Sequence, residues 1–172
     1  MKKQGKIHTE IIPVSEKNII AYVLDRFKDV KNEKKMKKLV TFQTTNKYMI
    51  MSHDQEELKK LGNIVASNKK IKFQEILNEY ETHLKKALYN KPTIKKHSNV
   101  ILHIFGYFSN HFNQQEKEKF FDLLTKFKKE KITIGEILAE INPIIFRFNN
   151  TYLASQTYFL LYANPEPGNL FK

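Results

Sequence analysis

The fold class of this 172-residue chain is decided by Ser98-Asn99-Val100-Ile101-Leu102-His103-Ile104-Phe105-Gly106-Tyr107-Phe108-Ser109-Asn110-His111. A helix through this stretch carries apolar side chains on nearly every side, which is typical of a helix buried in the middle of a bundle. We therefore expect an all-α, single-domain bundle of about six to seven helices, with residues 98–111 as its central buried helix.

Helical periodicity extends outward from this stretch in both directions. Apolar residues recur at three- and four-residue spacing, and Gly and Pro are few, with five of each. The predicted helices run from the N-cap Ser15 to about Val30, over 32–52, over 55–67 with Asp54 as cap, from Phe73 to a point before Pro92, onward from Asn113, and over 133–141, where Pro143 stops the helix. Residues 150–161 fit either helix or extended chain. We expect a flexible segment over 1–14, one domain over 15–163 and an irregular tail over 164–172.

The composition excludes several classes of function. The chain has no Cys, so it cannot form disulfides, thiolate zinc sites, cysteine-ligated iron–sulfur clusters or a thiol nucleophile. Four Asp residues do not favour a carboxylate-rich metal or phosphoryl-transfer site, and neither a P-loop nor a G-x-G-x-x-G motif occurs. We expect no metal and no cofactor. Because no apolar window is long enough for a signal peptide or a membrane span, we expect a cytoplasmic protein without membrane contact.

The positive charge is clustered. The chain has 30 Lys and Arg against 18 Asp and Glu, a formal charge of +12. Between Leu84 and His97 no acid occurs, and we expect the lysines there to contact phosphate groups. They are Lys85, Lys86, Lys91, Lys95 and Lys96. A second lysine group, over residues 31–38, suggests a different possibility, a protein–protein adaptor that recognises an acidic partner.

Polar side chains form a stripe on the predicted buried helix. Asn99, His103 and Tyr107 are spaced at i, i+4 and i+8, so they lie on one face. Buried amide, imidazole and phenol groups need hydrogen-bond partners, so this stripe either faces a polar pocket or closes an internal network. His97 follows Lys95 and Lys96 near the helix start, a position that favours an anion such as phosphate.

An enzyme is the competing interpretation of the same residues. His53 precedes Asp54, although no serine nucleophile motif and no second histidine at metal-ligand spacing accompany it. An acid–base site for a small molecule would use His53, His97, His103 and Tyr48, with Asn99 orienting one of them. Convergence of the histidines on an open pocket would favour this alternative.

Several blocks of the chain, in order, resemble the YbgA-like family of bacterial proteins. They are Phe42, Lys47-Tyr48, His53, Leu61-Gly62, Val65-Ala66, the block from His97 to Tyr107, and Tyr152-Leu153 with Gln156 and Tyr158. The central block is similar to the family signature H-x-N-V-L-x-H-x-x-G-Y. One departure is the stretch from Ile132 to Leu138, which lacks the two prolines usual in the family.

The resemblance implies a binding module more than a reaction. In many relatives, a domain of this type follows a cysteine-bearing domain that holds an iron–sulfur cluster and removes sulfur from thiolated uracil. The resemblance implies that a domain of the present type is the RNA-binding half. This chain has no Cys, so we expect it to bind RNA, tRNA above all, alone or with a separately encoded cysteine-containing desulfidase. The residues expected to line the recognition pocket are Tyr48, His53, His97, Asn99, His103, Tyr107 and Gln156. The sequence leaves the oligomeric state open.

Overall fold

The computed structural model describes residues 15–67 and 71–164, and within those ranges it contains only helices. They are α1 (Glu16–Glu33), α2 (Met36–His53), α3 (Gln55–Ala66), α4 (Phe73–Tyr89), α5 (Ile94–Phe105), α6 (Gln114–Lys128), α7 (Ile134–Arg147), α8 (Thr151–Ala154) and α9 (Thr157–Tyr162). The all-α prediction is therefore confirmed. The segment 1–14 that we expect to be flexible lies outside the described residues, as does the tail beyond Asn164.

Short polar side chains fix where the helices begin. Six helices start at a residue whose side-chain oxygen accepts a hydrogen bond from the backbone N–H three residues later, which satisfies a donor that the helix itself leaves unpaired. These residues are Ser15, Asp54, Thr93, Asn113, Thr133 and Asn150. Asn113 and Thr133 form complete capping boxes with Glu116 and Glu136. The predicted caps Ser15 and Asp54 are thus confirmed.

The centre of the bundle is α2, and this differs from the expectation for residues 98–111. Helix α2 packs against α1, α3, α4, α5 and α9, and its last six residues, 48–53, are all buried. Helix α5 starts four residues before the predicted position because Thr93 caps it, and after Phe105 the chain continues in turns through residue 111. Only one side of α5 is buried, against α2 and α6.

In the C-terminal third, the structure differs from one predicted helix end and decides the conformation of residues 150–161. Helix α7 runs through Pro143 to Arg147, so the prediction that Pro143 stops this helix was wrong. The helix continues because Ile144 and Ile145, just past the proline, are buried in the core. The ambiguous segment 150–161 forms the two short helices α8 and α9, which are separated at Ser155 and Gln156.

No helix within the described ranges combines the length and the apolar character needed to cross a bilayer.

Candidate nucleic-acid interface

The polar side chains of the signature stretch lie on the outer face of α5. Val100, Ile101 and Ile104 occupy the inner face. The outer stripe, as we call it, consists of Lys95, Asn99, Leu102, His103 and Tyr107. The expectation that Asn99, His103 and Tyr107 are buried was therefore wrong: His103 is exposed, Asn99 is half-buried, and Tyr107 is 43% exposed. Leu102, at 40% exposure, adds an apolar surface to the stripe.

A groove of about 590 Å³ runs beside the outer stripe. Its lining residues are Ile94, Lys95, Ser98, Asn99, Leu102 and Lys128. Lys128 belongs to the last turn of α6, so the groove follows the line where α5 and α6 pack. Neither Lys95 nor Lys128 forms an ion pair with any acid in the described part of the chain. The groove therefore combines two uncompensated positive charges with an apolar floor.

The five lysines between Leu84 and His97 have different surroundings. Lys85 Nζ lies 3.1 Å from Glu81 Oε1, one helical turn earlier, and Lys86 Nζ lies 3.2 Å from Glu57 Oε1 of α3. Lys96 Nζ donates a hydrogen bond to the backbone carbonyl of Lys91. The stretch is free of acids in sequence but not in space, because α3 brings Glu57 to it.

Glu57 is a buried carboxylate that collects three cationic or potentially cationic groups. Its side chain is 3% exposed and accepts from Lys60 Nζ at 2.9 Å, while His83 Nδ1 lies 2.6 Å away. Burial acts to raise the pKa of this carboxyl, but hydrogen bonds from Lys60, His83 and Lys86 outweigh it and lower the pKa to about 2. Glu57 is thus ionised at neutral pH and joins α3 to α4.

Three tyrosines support the C-terminal end of the outer stripe. The rings of Tyr107 and Tyr152 stack at 5.6 Å between centroids with 30° between planes, and Tyr48 meets Tyr152 edge-on at 6.3 Å. The ring of Tyr107 therefore packs on Tyr152, which itself packs against Tyr48. Burial and the neighbouring phenols raise the pKa of Tyr152 to about 12 and raise that of Tyr48 further. Tyr48 is buried, so it holds Tyr107 in place and does not reach solvent.

Gln156 lies in the core at the junction of α8 and α9. Its Nε2 donates to the carbonyl of Thr44 at 2.7 Å, and the Tyr48 N–H donates to its Oε1 at 3.4 Å. This side chain therefore fastens the C-terminal segment to the middle of α2. It acts as a structural support beneath the tyrosines and does not line the groove.

Two histidines of the predicted pocket, His53 and His97, lie in a separate buried region at the C-terminal end of α2. His53 Nδ1 lies 2.7 Å from the carbonyl oxygen of Asn90. Because a carbonyl only accepts, Nδ1 carries the proton and Nε2 of the neutral ring keeps its lone pair. That Nε2 has no hydrogen-bond partner in the described structure and lies 3.8 Å from Glu16 Oε2. His97 Nδ1 lies 2.7 Å from the hydroxyl of Tyr158.

Both buried histidines are neutral at pH 7. Burial, with a smaller contribution from the proximity of His53, lowers the pKa of His97 to about 4. Burial also lowers the pKa of His53. This effect outweighs the hydrogen bond to Asn90 and the charge of Glu16, both of which raise the pKa. His97 is 7% exposed, so it supports α5 from the inside and is not an anion ligand on the surface.

The four residues of the predicted acid–base site do not converge. His53 and His97 share the buried region, Tyr48 belongs to the tyrosine group, and His103 is exposed on α5. Among the described residues, no group of three His, Asp or Glu side chains is placed to hold a metal ion. What the structure does bring together is Asn99, His103 and Tyr107 with Lys95.

Two contributors to this surface were missed at the level of sequence. Lys128 enters the groove only because α5 and α6 pack against each other, and no local pattern indicates that pairing. Tyr152 belongs to one of the blocks that resemble the YbgA-like family. The resemblance therefore pointed to this residue, but the spacing of residues did not predict that its ring stacks on Tyr107.

Comparison with known proteins gives one family and one relative. The model of a family described as "Protein of unknown function (DUF1722)" matches residues 47–163, which include the outer stripe and all three tyrosines. The chain is 24% identical over 125 residues to "Uncharacterized protein YbgA" of Escherichia coli strain K12, covering 72% of this chain and 74% of that protein. No solved structure matches. The resemblance to YbgA-like proteins is confirmed.

Proposed function

This chain belongs to the DUF1722 family of proteins of unknown function, and we propose that it is a non-catalytic module that binds RNA, tRNA above all, on the outer stripe and the adjoining groove. The observation that carries the proposal is the composition of this face. It presents a cation, an amide, an imidazole and a phenol side by side, with Lys128 across the groove. Cations contact phosphates, while amide and aromatic groups contact bases.

The electrostatics of this region support the same proposal. No Asp or Glu occurs between Glu81 and Glu116, a span that contains all of α5 and the turns after it. Lys91, Lys95 and Lys128 have no ion pair with an acid in the described structure. A polyanion can therefore approach without displacing a carboxylate. Each phosphate that a lysine neutralises releases a counterion from the nucleic acid, which strengthens binding.

The absence of cysteine limits the part that this chain can have in a desulfuration reaction. With no Cys, it cannot itself ligate an iron–sulfur cluster through thiolates. We propose that it acts alone or presents its RNA to a separately encoded, cysteine-containing desulfidase.

Charge reversal of the groove lysines tests the proposal. In a Lys91→Glu, Lys95→Glu, Lys128→Glu variant of the full chain, we expect weaker binding of total tRNA in a fluorescence titration. The slope of log affinity against log salt should fall by about 0.7 to 1 per lost phosphate contact. Lys95 is in the first turn of α5, where an acid is compatible with the helix dipole, so the fold should survive.

A matched control is available at the start of α2. Lys34, Lys35 and Lys37 are also exposed and free of ion pairs with acids in the described structure. The variant Lys34→Glu, Lys35→Glu, Lys37→Glu changes the net charge by the same amount and should bind tRNA like the native chain, apart from a small long-range effect. Equal losses in both variants, or no loss in either, would refute the proposed interface.

The same control bears on the adaptor alternative. If the lysines over residues 31–38 recognise an acidic protein, the α2 variant loses that partner in a pull-down from cells, and nuclease treatment leaves the native interaction intact. If RNA instead bridges the two proteins, nuclease treatment abolishes recovery of the partner.

A second candidate function is an acid–base site for a small molecule at His53. The specific observation in its favour is the Nε2 lone pair of His53, which is buried, unpartnered and close to Glu16. Glu16 is about half exposed and also accepts from the Tyr162 hydroxyl at 2.9 Å, so this region meets solvent at the start of α1. If crosslinking in cells recovers no RNA above that bound by a charge-matched control protein, this candidate replaces RNA binding.

A further inference from the structure

The ring of Tyr107 is exposed and held rigidly. One side of the ring stacks on Tyr152, yet 43% of the residue remains accessible to solvent. Tyr152 in turn packs edge-on against Tyr48, which is buried in α2. A flat aromatic surface is therefore presented to solvent in a fixed orientation, so little conformational entropy is lost when a planar ligand stacks on it.

The residue before this ring is a glycine that lies close to the backbone of its own helix. A Cβ added at Gly106 would lie 3.2 Å from the carbonyl oxygen of His103 and 3.9 Å from that of Leu102. Its φ of −55° is ordinary right-handed helical backbone, so glycine is favoured here by the close carbonyl contact and not by backbone conformation.

Hydrogen-bonding groups lie along the same face. Asn99 Nδ2 donates to Gln55 Oε1 at 2.9 Å, which orients the amide and leaves its oxygen as an acceptor. His103 is exposed between Asn99 and Tyr107. Together with Leu102, Asn99 and His103 lie on a strip of α5 about 12 Å long, the rise of eight helical residues from Lys95 to His103. Tyr107 lies in the turn that follows the helix.

These features favour one structural class of RNA. In a double helix the base faces are stacked on one another, so a protein reads mainly phosphates and sugar hydroxyls, and an exposed aromatic ring contributes little. In a single strand or a loop, a base is free to stack on a ring while neighbouring phosphates contact lysines.

We propose that Tyr107 is a stacking platform for an unpaired base, and that the outer stripe selects single-stranded or loop segments of RNA over duplex. This inference rests on the proposed function and specifies its substrate class. The base stacks on the free face of Tyr107, Asn99 and His103 contact base edges, and Lys95 with Lys128 contacts the adjoining phosphates.

The test compares two probes and two substitutions on the full chain. The probes are a labelled single-stranded RNA of about 12 nucleotides and mixed sequence, and the same strand annealed to its complement. We expect the native chain to bind the single strand at least about tenfold more tightly than the duplex. Tyr107→Ala should weaken single-strand binding by roughly 5- to 100-fold, the range for one lost base–aromatic stack.

The conservative variant separates stacking from folding. Tyr107→Phe keeps the ring and loses only the hydroxyl, so it should bind the single strand within about threefold of the native chain. Phe146→Ala, which removes a 75% exposed ring on α7, is the matched control for loss of an exposed aromatic and should bind like the native chain. Tyr107→Ala should leave the weaker duplex affinity unchanged.

The outcomes distinguish the two proposals. If neither probe binds, the proposed function fails. If RNA binds but the duplex binds as tightly as the single strand, or Tyr107→Ala binds the single strand normally, only the stacking proposal is overturned. Equal losses for Tyr107→Ala and Tyr107→Phe would also overturn it, because the ring would then not be the contributing group.

Discussion

His97 supports the proposed interface from inside the protein without lying on its surface. Its side chain lies on the inner side of α5, bonded to the Tyr158 hydroxyl and packed edge-on against Tyr162 at 5.0 Å between ring centroids. This joins α5 to α9, two helices far apart in sequence. The lysines beside His97 suggested a surface anion site, but helical spacing directs His97 to the core while Lys95 points outward.

The buried neutral state of His97 predicts a loss of stability in acid. An unfolded histidine has a pKa near 6.5, whereas in the folded protein that of His97 is about 4. Between these values the unfolded chain binds more protons than the folded chain, so the free energy of unfolding decreases as the pH falls. From pH 8 to pH 5 we expect a decrease of about 2 kcal/mol from His97 alone, measured by urea unfolding followed by circular dichroism.

A substitution isolates this contribution. His97→Gln removes the titrating group while keeping a polar side chain of similar reach. The variant should be less stable at pH 8, and its further loss on going to pH 5 should be smaller than that of the native chain. An identical loss in both proteins would show that His97 is not the group responsible.

At the scale of the element, hydrophobicity predicted that residues 98–111 form the central buried helix, but α2 occupies that position. Residues 98–108 are rich in apolar side chains, but α5 ends at Phe105, and Phe108 and the later Phe112 are buried outside the helix. Helix α2 reads as amphipathic and carries lysines at its start, yet its C-terminal half is buried on every side. Burial was misassigned because the sequence pattern does not indicate where α5 ends or that α9 packs across α2.

Helix α7 shows the opposite case, in which tertiary packing overrides a local signal. Pro143 has no N–H to donate to the carbonyl of Ala139, and an internal proline disfavours a helix by about 3 kcal/mol. The buried side chains of Ile144 and Ile145 offset that cost. Thr133 and Glu136 form a capping box at the start of this helix.

Removing the internal proline should therefore stabilise the protein. We expect Pro143→Ala to raise the free energy of unfolding by about 1 kcal/mol or more, because it restores a helical hydrogen bond. Thermal and urea unfolding measure the change, with Asn142→Ala as the neighbouring control. A destabilised Pro143→Ala variant would indicate that the helix geometry depends on the proline.

At the scale of the whole molecule, the helices were predictable and their arrangement was not. Periodicity and caps such as Ser15 and Asp54 predicted that most of these segments are helical, because these signals are local. The bounds predicted for α5 and α7 were wrong. Of the predicted polar residues, Asn99 borders the groove and His103 is exposed on α5, while Tyr107 lies in the turn after the helix. Their exposure, and the arrival of Lys128 and Tyr152, depend on contacts between helices distant in sequence, which no local pattern encodes.

The net charge of +12 is also distributed unevenly over the molecule. Lys85 and Lys86 are compensated by Glu81 and Glu57. The remaining uncompensated lysines of this region lie where α5 begins and where α6 ends, beside the face that carries Tyr107. The proposed interface is therefore one side of the bundle and not its general surface.

The most direct test of the central claim is to map where RNA touches the full chain. Native protein is irradiated with bound tRNA, digested, and analysed by mass spectrometry for peptides carrying nucleotide adducts. We predict adducts on α5 and the following turn, with Tyr107 and His103 foremost, and on the peptide that contains Lys128. Adducts confined to residues 31–38, or none above those of a charge-matched control protein, would contradict an RNA interface on α5.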